Sequence, residues 1–344
     1  LIHEGVDPNA ILAITFTNKA AEEMRDRVYA LLPKNDAGRV PFMKTFHALG
    51  VYLLRSHTDI TGYPKHFAIL DSQDQLVRVK EAMMRVGVDP KTQDPARVRG
   101  AISREKGNFT TALAYQDSSK SAWHDVVASI WLEYEDILQE EKAYDFDDLL
   151  VSSVELLKKY PHIRAHYQQR WTHVHIDEYQ DTNKAQYELS RLLTGEQNNI
   201  CVVGDGDQNI YSWRGANIQN MLTFEKKYPD VAIIRLEENY RSTKTILSVA
   251  NTIIQKNKYR IEKKLFTNNE IGGKVMLVET YDENQEAYSI VSTIKEYLNT
   301  GTLVKEIAVL YRANFQSRVL EEACISLSVP YQVVGVRFFE RKEI

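Results

Sequence analysis

His173-Val-His-Ile-Asp-Glu-Tyr-Gln-Asp181 is the stretch that decides the fold, because an apolar strand is followed directly by two carboxylates. In open α/β sheets, ligands bind in the crevice outside the carboxyl ends of the strands. Asp177 could hold Mg²⁺ there through water, and Glu178 could orient or deprotonate an attacking water. A bare Asp-Glu pair is more often a solvated strand end, so this hypothesis depends on the neighbouring sequence.

A second predicted strand ends in the loop Val202-Val-Gly-Asp-Gly-Asp-Gln-Asn-Ile-Tyr-Ser-Trp-Arg-Gly-Ala216. Gln208 in such a loop can sense a γ-phosphate or position a water molecule. Exposed Tyr211 and Trp213 beside Arg214 would form a stacking platform for unpaired bases, worth about 1–3 kcal/mol per base. The alternative, that both aromatic residues belong to the core, stays open on this stretch alone.

A third stretch, Arg235-Leu-Glu-Glu-Asn-Tyr-Arg-Ser-Thr243, follows a predicted strand and precedes a predicted helix. From that position the guanidinium of Arg241 could reach a phosphate across a cleft. Tyr240 offers a flat face for a purine. A lone arginine is ordinarily a surface salt-bridge partner, which is the competing interpretation.

The composition is that of a soluble globular protein, with 43% hydrophobic and 26% charged residues in a chain of 344. At about 150 residues per domain, this length predicts two or three domains. The net charge of −4 excludes a globally basic nucleic-acid coat, so any nucleic-acid binding requires a local groove. Cys201 and Cys324 lie in apolar runs and are expected to be buried free thiols. No apolar run approaches the roughly 20 residues of a membrane span, and the N-terminus does not resemble a signal peptide.

Strand and helix signals alternate at both ends of the chain, which predicts a parallel sheet. The pattern between residues 48 and 170 is helical and predicts an inserted helical subdomain. Asn18 is expected to cap the helix after the first strand. We expect a break between two α/β units just after Arg241, and the stretch 255–273 is the most linker-like. The predicted strands are Ile11–Phe16, Phe42–Phe46, His173–Ile176, Ile200–Val203, Ala232–Leu236, Lys274–Tyr281, Glu306–Tyr311 and Tyr331–Val334.

Together these strings resemble, in order, the motifs of the UvrD/PcrA/Rep family of superfamily 1 DNA helicases, and the resemblance covers essentially the whole chain. A chance match of so many strings in family order is not credible. The matching strings are ILAITFTNKAAEEMRDRV at 11–28, KTFHALG at 44–50, DEYQDTN at 177–183, GDGDQNIYSWRGA at 204–216, LEENYRST at 236–243, VLYRANFQSRVLEE at 309–322 and PYQVVGVRFFERKEI at 330–344.

The resemblance implies an α/β fold: a RecA-like parallel-sheet motor domain with an inserted helical subdomain, plus the first part of a second RecA-like domain. Residues 1–55 and 144–241 would form the first motor domain, 56–143 the insertion, and 242–344 the part of the second. The implied function is an ATP-dependent 3′→5′ DNA helicase that translocates on single-stranded DNA in repair or replication. Its cofactors would be ATP and Mg²⁺, and its substrates single-stranded and 3′-tailed duplex DNA. Its protein partners would be repair or replication proteins. The helicase would be cytoplasmic and would not bind a membrane.

The resemblance also implies roles for residues around the nucleotide. Asp177 would coordinate Mg²⁺, and Glu178 would be the catalytic base. Gln208 would couple the γ-phosphate to the DNA-contacting loop. Arg241 would act as an arginine finger, and Tyr240 would stack on adenine.

A second set of residues would contact DNA if the resemblance holds. Two of them have competing interpretations, since His47 could be a core or capping histidine and Phe16 a buried strand end. The implied stacking residues are Phe16, Tyr211 and Trp213, and the implied strand-holding residues are Asn18, Thr45, His47, Arg214 and, from the second domain, Asn314.

The chain departs from the family pattern in lacking G-x-x-x-x-G-K-[ST], the loop that cradles the β- and γ-phosphates. In the family this loop lies upstream of the 11–28 string, after a strand in the middle of the sheet. The later motifs of the second motor domain are also missing. We therefore expect a helicase fragment that is inactive alone. Two other hypotheses are the helicase part of a RecB/AddA-like helicase–nuclease and a DNA-binding fragment without turnover.

Overall fold

A computed structural model describes residues 1–32, 40–118, 121–257 and 260–334, and the Arg214 side chain lies outside this description. The described chain divides into two compact units. The first contains Leu1–Glu237 together with Thr252–Lys264, and the second contains Glu238–Asn251 together with the residues from Leu265 onward. The last ten residues of the 330–344 string lie outside the described residues. The domain limits given above remain predictions.

A four-stranded sheet with the order β2-β1-β5-β6 forms the centre of the first unit, and every neighbouring pair is parallel. The predicted α/β class with a parallel sheet is therefore confirmed. All five residues of β1 are buried, as expected for a central strand covered on both faces. The strands are β1 (Ile11–Thr15), β2 (Phe42–Thr45), β5 (His173–Ile176) and β6 (Ile200–Val202), while β3 (Ala68–Ile69) and β4 (Ala143–Tyr144) form a separate parallel pair.

The strand register brings the carboxyl ends of the sheet to one edge. Thr15 lies opposite Thr45, and Ile176 lies opposite both Ile14 and Val202. The family pattern places a phosphate-loop strand within such a sheet and predicts unpaired neighbours in its absence. Among the described strands, β1 pairs directly with β5 and β5 directly with β6, but β6 has no described partner on its other side, so that expectation remains a prediction.

Helices within the described part of the first unit pack around this sheet, and polar caps explain where several of them begin. Thr17 caps the first helix, and its Oγ1 accepts the Ala20 N–H at 3.1 Å. The expectation that Asn18 is the cap is wrong by one residue, because extended backbone continues through Thr17 and Asn18 is already helical. The helices are α1 (Asn18–Leu31), α2 (Phe46–Ser56), α3 (Thr58–Thr61), α8 (Phe146–Lys159), α9 (Pro161–Arg170) and α10 (Lys184–Thr194).

The helical insertion has a hydrophobic core of its own. Met83, Val98, Trp131 and Tyr134 are buried in one cluster, separate from the cluster around the sheet. Lys106 joins this insertion to the start of α8, because its buried ammonium contacts Asp145 Oδ2 at 2.9 Å and Asp148 Oδ1 at 2.8 Å. The helices are α4 (Ser72–Arg85), α5 (Pro95–Gly107), α6 (Ala112–Asp117) and α7 (Ala122–Glu140).

The second unit is built around two helices whose apolar faces meet. Val291, Cys324 and Val329 form its buried cluster. Glu238 and Phe266 make an isolated parallel bridge. The remaining helices of the described residues are α11 (Gln219–Leu222) and α12 (Phe224–Lys227) in the first unit, α13 (Lys244–Ile254), which begins in the second unit, and α14 (Glu283–Asn299) and α15 (Ser317–Ser326) in the second unit.

Four strand predictions are wrong within the described residues. The stretches at 232–236, 274–281, 306–311 and 331–334 are not strands, and residues 304–306 form a 3₁₀ turn instead. A strand needs a hydrogen-bonded neighbour as well as an apolar pattern. These stretches have no ladder partner in the described chain, and Leu277 is 99% exposed.

The two cysteines differ in environment. Cys324 is buried as expected, but Cys201 is exposed, so the prediction of a buried thiol is wrong there. Cys201 lies on β6, the last strand in the sheet order, where no described strand pairs with its other side. Within the described residues, no helix is both long and apolar enough to cross a membrane.

Candidate nucleotide site and nucleic-acid interface

Asp177 and Glu178 directly follow β5 at the carboxyl edge of the sheet. The backbone N–H of Asp177 donates to Ile14 O at 2.9 Å, which continues the ladder by one residue. Glu178 then adopts a left-handed conformation with φ 51° and ψ 40°, which is uncommon for a residue with a side chain. The N–H of Tyr179 returns to the sheet at Val203 O. This sharp turn leaves Asp177 half-buried and the Glu178 side chain exposed at the edge.

The carboxylates at this edge create a site that favours a cation. Burial raises the pKa of Asp177, and the negative charge of Glu178 raises it further, against the N–H of Glu178, which lowers it. Burial and Glu178 also raise the pKa of Asp181, whose buried Oδ1 has no hydrogen-bond partner among the described residues. No described cationic side chain compensates Asp177.

The residues at this edge suit a Mg²⁺ ion that is held partly by water and phosphate better than a metal ion that is held by protein ligands alone. Mg²⁺ in phosphate-transfer sites is held by one or two carboxylates and completed by water and substrate phosphates. The described part of the chain contains no group of three or more His, Cys, Asp or Glu that could hold a metal. That Asp177 would hold Mg²⁺, with phosphate oxygens and water as the other ligands, remains a prediction.

Gln180 is a site residue that the sequence analysis did not single out. Its side chain is buried, and its Nε2 donates to Glu178 Oε2 at 2.8 Å. Its Oε1 accepts the backbone N–H of Asp205 at 2.9 Å. A Cβ at Gly204 would lie 2.6 Å from this same Oε1, so only glycine allows the loop to approach so closely. Both residues stand inside quoted motifs, but sequence alone does not reveal that they touch.

The loop after β6 brings Gln208 to the same edge. Gln208 Nε2 donates to Asp205 Oδ2 at 2.8 Å, and Asn209 Nδ2 donates to Gln180 O at 2.5 Å. The path from Glu178 to Gln208 therefore consists of hydrogen bonds through Gln180 and Asp205. The structure thus joins the loop that follows β5 to the loop that follows β6.

Arg260 and Lys263 were also missed, because they lie in the stretch that appeared to be a linker. Arg260 Nε contacts Asp207 Oδ2 at 3.1 Å, and Lys263 pairs with Asp205 and, at 3.5 Å, with Asp207. Burial alone would raise the pKa of Asp205, but hydrogen bonds from Lys263 and Gln208 hold it below its usual value.

Two aromatic residues project from the loop that follows Gln208. The rings of Tyr211 and Trp213 have centroids 6.3 Å apart at 48°, and Trp213 is 70% exposed. That exposure excludes core packing as the explanation for Trp213. Its role in base stacking remains a prediction, as does that of Tyr211, which is half-buried. The predicted contact of Arg214 rests on a side chain outside the described part of the chain.

Four further predicted DNA contacts lie at the ends of β1 and β2. Phe16 is half-buried and meets Phe46 edge to face with centroids 6.2 Å apart. Asn18 is exposed at the first turn of α1, while buried Thr45 caps α2 by accepting the Ala48 N–H at 3.2 Å. His47 follows at the start of α2.

His47 lies in partly buried surroundings rather than in open solvent. Its ring meets Phe146 edge to face with centroids 5.4 Å apart. Burial lowers the pKa of His47, which favours the neutral ring.

Three predicted site residues belong to the second unit. Tyr240 is 78% exposed, and its hydroxyl donates to Glu238 Oε2 at 2.7 Å. Arg241 is exposed, and its backbone N–H donates to Asn239 Oδ1 at 3.1 Å. Asn314 is exposed at the start of a 3₁₀ turn. Their predicted roles beside the residues of the first unit remain predictions.

The parallel sheet, with paired carboxylates and a glutamine loop at its carboxyl edge, defines a RecA-like α/β domain of the helicase type. The chain belongs to the UvrD/REP helicase family: the UvrD/REP helicase N-terminal domain matches residues 1–229, and the UvrD-like helicase C-terminal domain matches residues 234–344.

Two relatives named ATP-dependent DNA helicase PcrA illustrate the similarity. The proteins from Staphylococcus aureus and Staphylococcus epidermidis are each 43% identical to this chain over 345 aligned residues. The alignment covers 100% of this chain and 47% of each relative. The chain therefore spans about half the length of these relatives.

Proposed function

We propose that this chain carries the ATP-hydrolysing and DNA-gripping residues of an ATP-dependent DNA helicase that moves 3′→5′ along single-stranded DNA. Membership of the UvrD/REP helicase family and the names of the staphylococcal relatives support the proposal. The single observation that carries it is the hydrogen-bonded path from Glu178 through Gln180 and Asp205 to Gln208. Such a path lets a hydrolytic carboxylate and a phosphate-sensing amide act as one unit.

The reaction is the transfer of the γ-phosphoryl group of ATP to water. The water oxygen bonds to phosphorus, the bond to the β–γ bridging oxygen breaks, and ADP and phosphate leave. Glu178 accepts the proton of the attacking water, while Gln208 orients the water against the γ-phosphate. Asp177 would hold Mg²⁺, which when bound would neutralise charge on the phosphate oxygens.

Tyr240 and Arg241 complete the nucleotide site in this proposal. Tyr240 stacks on the adenine, and Arg241 stabilises the negative charge of the transferring phosphoryl group. Both belong to the second unit.

DNA would bind on a second set of residues. Phe16, Tyr211 and Trp213 stack on bases without reading sequence, because every base has a π-face. Asn18, Thr45, His47, Arg214 and Asn314 hold the strand, partly through phosphates, which makes binding salt-dependent. The proposed substrate is a 3′-tailed duplex. The proposed setting is DNA repair or replication in the cytoplasm, together with partner proteins of those processes.

The decisive experiment is Glu178→Gln in the intact gene product, with Glu196→Gln as the matched control. Glu196 is exposed in the turn after α10. We expect Glu178→Gln to lower DNA-stimulated ATP turnover by at least about a hundredfold while nucleotide binding persists, because an amide cannot take a proton. Turnover within a few-fold of the unmodified protein would remove Glu178 from this role.

A further inference from the structure

We propose that Arg260 and Lys263 are positioning residues for the proposed ATPase site, acting as a basic clamp on the loop that carries Gln208. This inference rests on the proposed function and extends it to a segment that no motif identifies. The basic clamp consists of Arg260 and Lys263, which hold two carboxylates of that loop, Asp205 and Asp207. All four residues belong to the first unit.

The basic clamp is built from partly buried ion pairs. Arg260 Nε lies 3.1 Å from Asp207 Oδ2, and these side chains are 15% and 8% exposed. Lys263 contacts both carboxylates and is 18% exposed. Solvent screens such pairs less than it screens surface pairs. The loss of one partner therefore leaves an uncompensated charge in a partly buried position.

Asp205 transmits this hold to Gln208. One carboxylate oxygen, Oδ1, accepts from Lys263 and from the backbone N–H of Asp207 at 2.9 Å. The other oxygen, Oδ2, accepts from Gln208 Nε2 at 2.8 Å. Lys263 and Gln208 use different oxygens of one carboxylate. Without the ammonium, that carboxylate is held only by the Asp207 N–H and the Gln208 amide, so we expect the Gln208 amide to be held less firmly.

The basic clamp also reaches Glu178 through the backbone. The N–H of Asp205 donates to Gln180 Oε1, and the amide of Gln180 donates to Glu178 Oε2. Lys263 is therefore connected to both proposed hydrolytic residues by hydrogen bonds. Arg260 helps to hold Lys263 in place, since Arg260 Nη2 also donates to Lys263 O at 3.1 Å.

A purely structural role for these ion pairs predicts a different outcome from a positioning role. If the ion pairs are only structural, removing one of them would lower the free energy of unfolding and leave ATP turnover per folded molecule unchanged. Misplacing a reacting group by about 1 Å can lower the rate a hundredfold without a loss of binding. The two roles are separated by measuring kcat and KM for ATP on folded protein, together with stability.

The test compares Lys263→Met with Lys264→Met and Lys263→Arg in the intact gene product. Lys264 is exposed and adjacent, so its substitution removes the same charge from the same segment. We expect Lys263→Met to lower kcat of DNA-stimulated ATP hydrolysis by roughly 10- to 100-fold, with KM for ATP changed less than about threefold. Lys264→Met should match the unmodified protein, and Lys263→Arg should regain most of the turnover.

A second measurement does not depend on activity. The backbone N–H of Asp207 and of Gln208 both donate to Asp205. Hydrogen exchange at these amides should quicken at least about tenfold in Lys263→Met, but not in Lys264→Met. Equal kcat and equal exchange in the two variants would overturn the inference. An unmodified protein without DNA-stimulated ATPase activity would instead overturn the proposed function, while the exchange measurement would still judge the basic clamp.

Discussion

The buried side chain of Gln180 accepts a hydrogen bond from the backbone N–H of Asp205 at 2.9 Å. This contact crosses from the loop after β5 to the loop after β6. It forms only because Gly204 has no side chain in the space beside the Gln180 amide oxygen. The position of the proposed phosphate-sensing loop therefore depends on a glycine that contacts no ligand in the proposed mechanism.

Gly204→Ala should uncouple the two loops. Its Cβ would lie 2.6 Å from Gln180 Oε1, so the amide must leave its place between Glu178 and Asp205. We expect kcat for DNA-stimulated ATP hydrolysis to fall by about 10- to 100-fold, with much smaller changes in single-stranded DNA affinity. Gly206→Ala is the control, because its Cβ would meet only Ile218 Cδ1 at an ordinary 3.4 Å. Equal turnover of the two variants would contradict the prediction.

Trp213→Ala and Phe16→Ala should each weaken binding of single-stranded DNA. The loss of one base stack, about 1–3 kcal/mol, corresponds to roughly a 5- to 150-fold higher Kd. Fluorescence anisotropy with labelled homopolymers would measure the change, and little dependence on base identity is expected. Trp213→Phe keeps a π-face and should retain most of the affinity. If both alanine variants bind and unwind normally, these aromatic residues do not contact DNA.

Arg241→Ala should lower ATP turnover far more than ATP binding. An arginine that stabilises the charge of the transferring phosphoryl group contributes about a thousandfold or more to kcat. Arg235→Ala, at an exposed position of the first unit, is the control. Steady-state kinetics and equilibrium nucleotide binding would together distinguish a catalytic arginine from a surface one, for which both variants would behave alike.

Lys106→Met should destabilise the protein through buried charge. Its ammonium compensates Asp145, which is 1% exposed, and Asp148. Removing one partner of such a buried cluster costs about 3–5 kcal/mol. Urea unfolding at pH 7 would measure the loss, with exposed Lys91→Met as the control. A loss below about 1 kcal/mol would show that the cluster reorganises or admits water.

Asp147 should make stability depend on pH. Burial, and then the charge of Asp145, raise the pKa of Asp147 to about 6. Between the unfolded pKa near 4 and pH 6, the folded state binds more protons, so the free energy of unfolding falls as pH rises. Asp147→Asn should remove this fall and raise the free energy of unfolding at pH 7 by about 1–2 kcal/mol.

Urea unfolding at pH 4.5 and pH 7 would check the Asp147 prediction. Exposed Asp136→Asn on α7 is the control. If Asp147→Asn leaves the difference between the two pH values unchanged, Asp147 titrates normally in the folded protein.

Local sequence determined much of the first unit. The strand at His173–Ile176, the carboxylates that follow it, and the glutamine loop after β6 were all recognisable, because each depends on residues close together in the chain. The parallel sheet followed from the alternation of strands and helices. The family itself could be recognised from the order of the motif strings.

Sequence pattern failed where a structure depends on a distant partner. Leu277 lies in an apolar stretch that looks like a strand, but it is exposed because no described neighbour pairs with that stretch. Cys201 lies in an equally apolar run, and its position on an edge strand exposes it. A one-dimensional pattern does not say which segments become neighbours.

Only the tertiary structure decided how the proposed site is held together. Gln180 and Asp205 are 25 residues apart, and Lys263 and Asp205 are 58 apart. Composition and spacing place each of these residues in a loop, but they do not specify which loops meet. The order and register of the parallel strands bring the β5 and β6 loops together, and the return of residues 252–264 to the first unit supplies the basic clamp. Long-range contacts of this kind depend on the packing of the whole unit, which is why the sequence revealed the chemical groups and the fold revealed their connection.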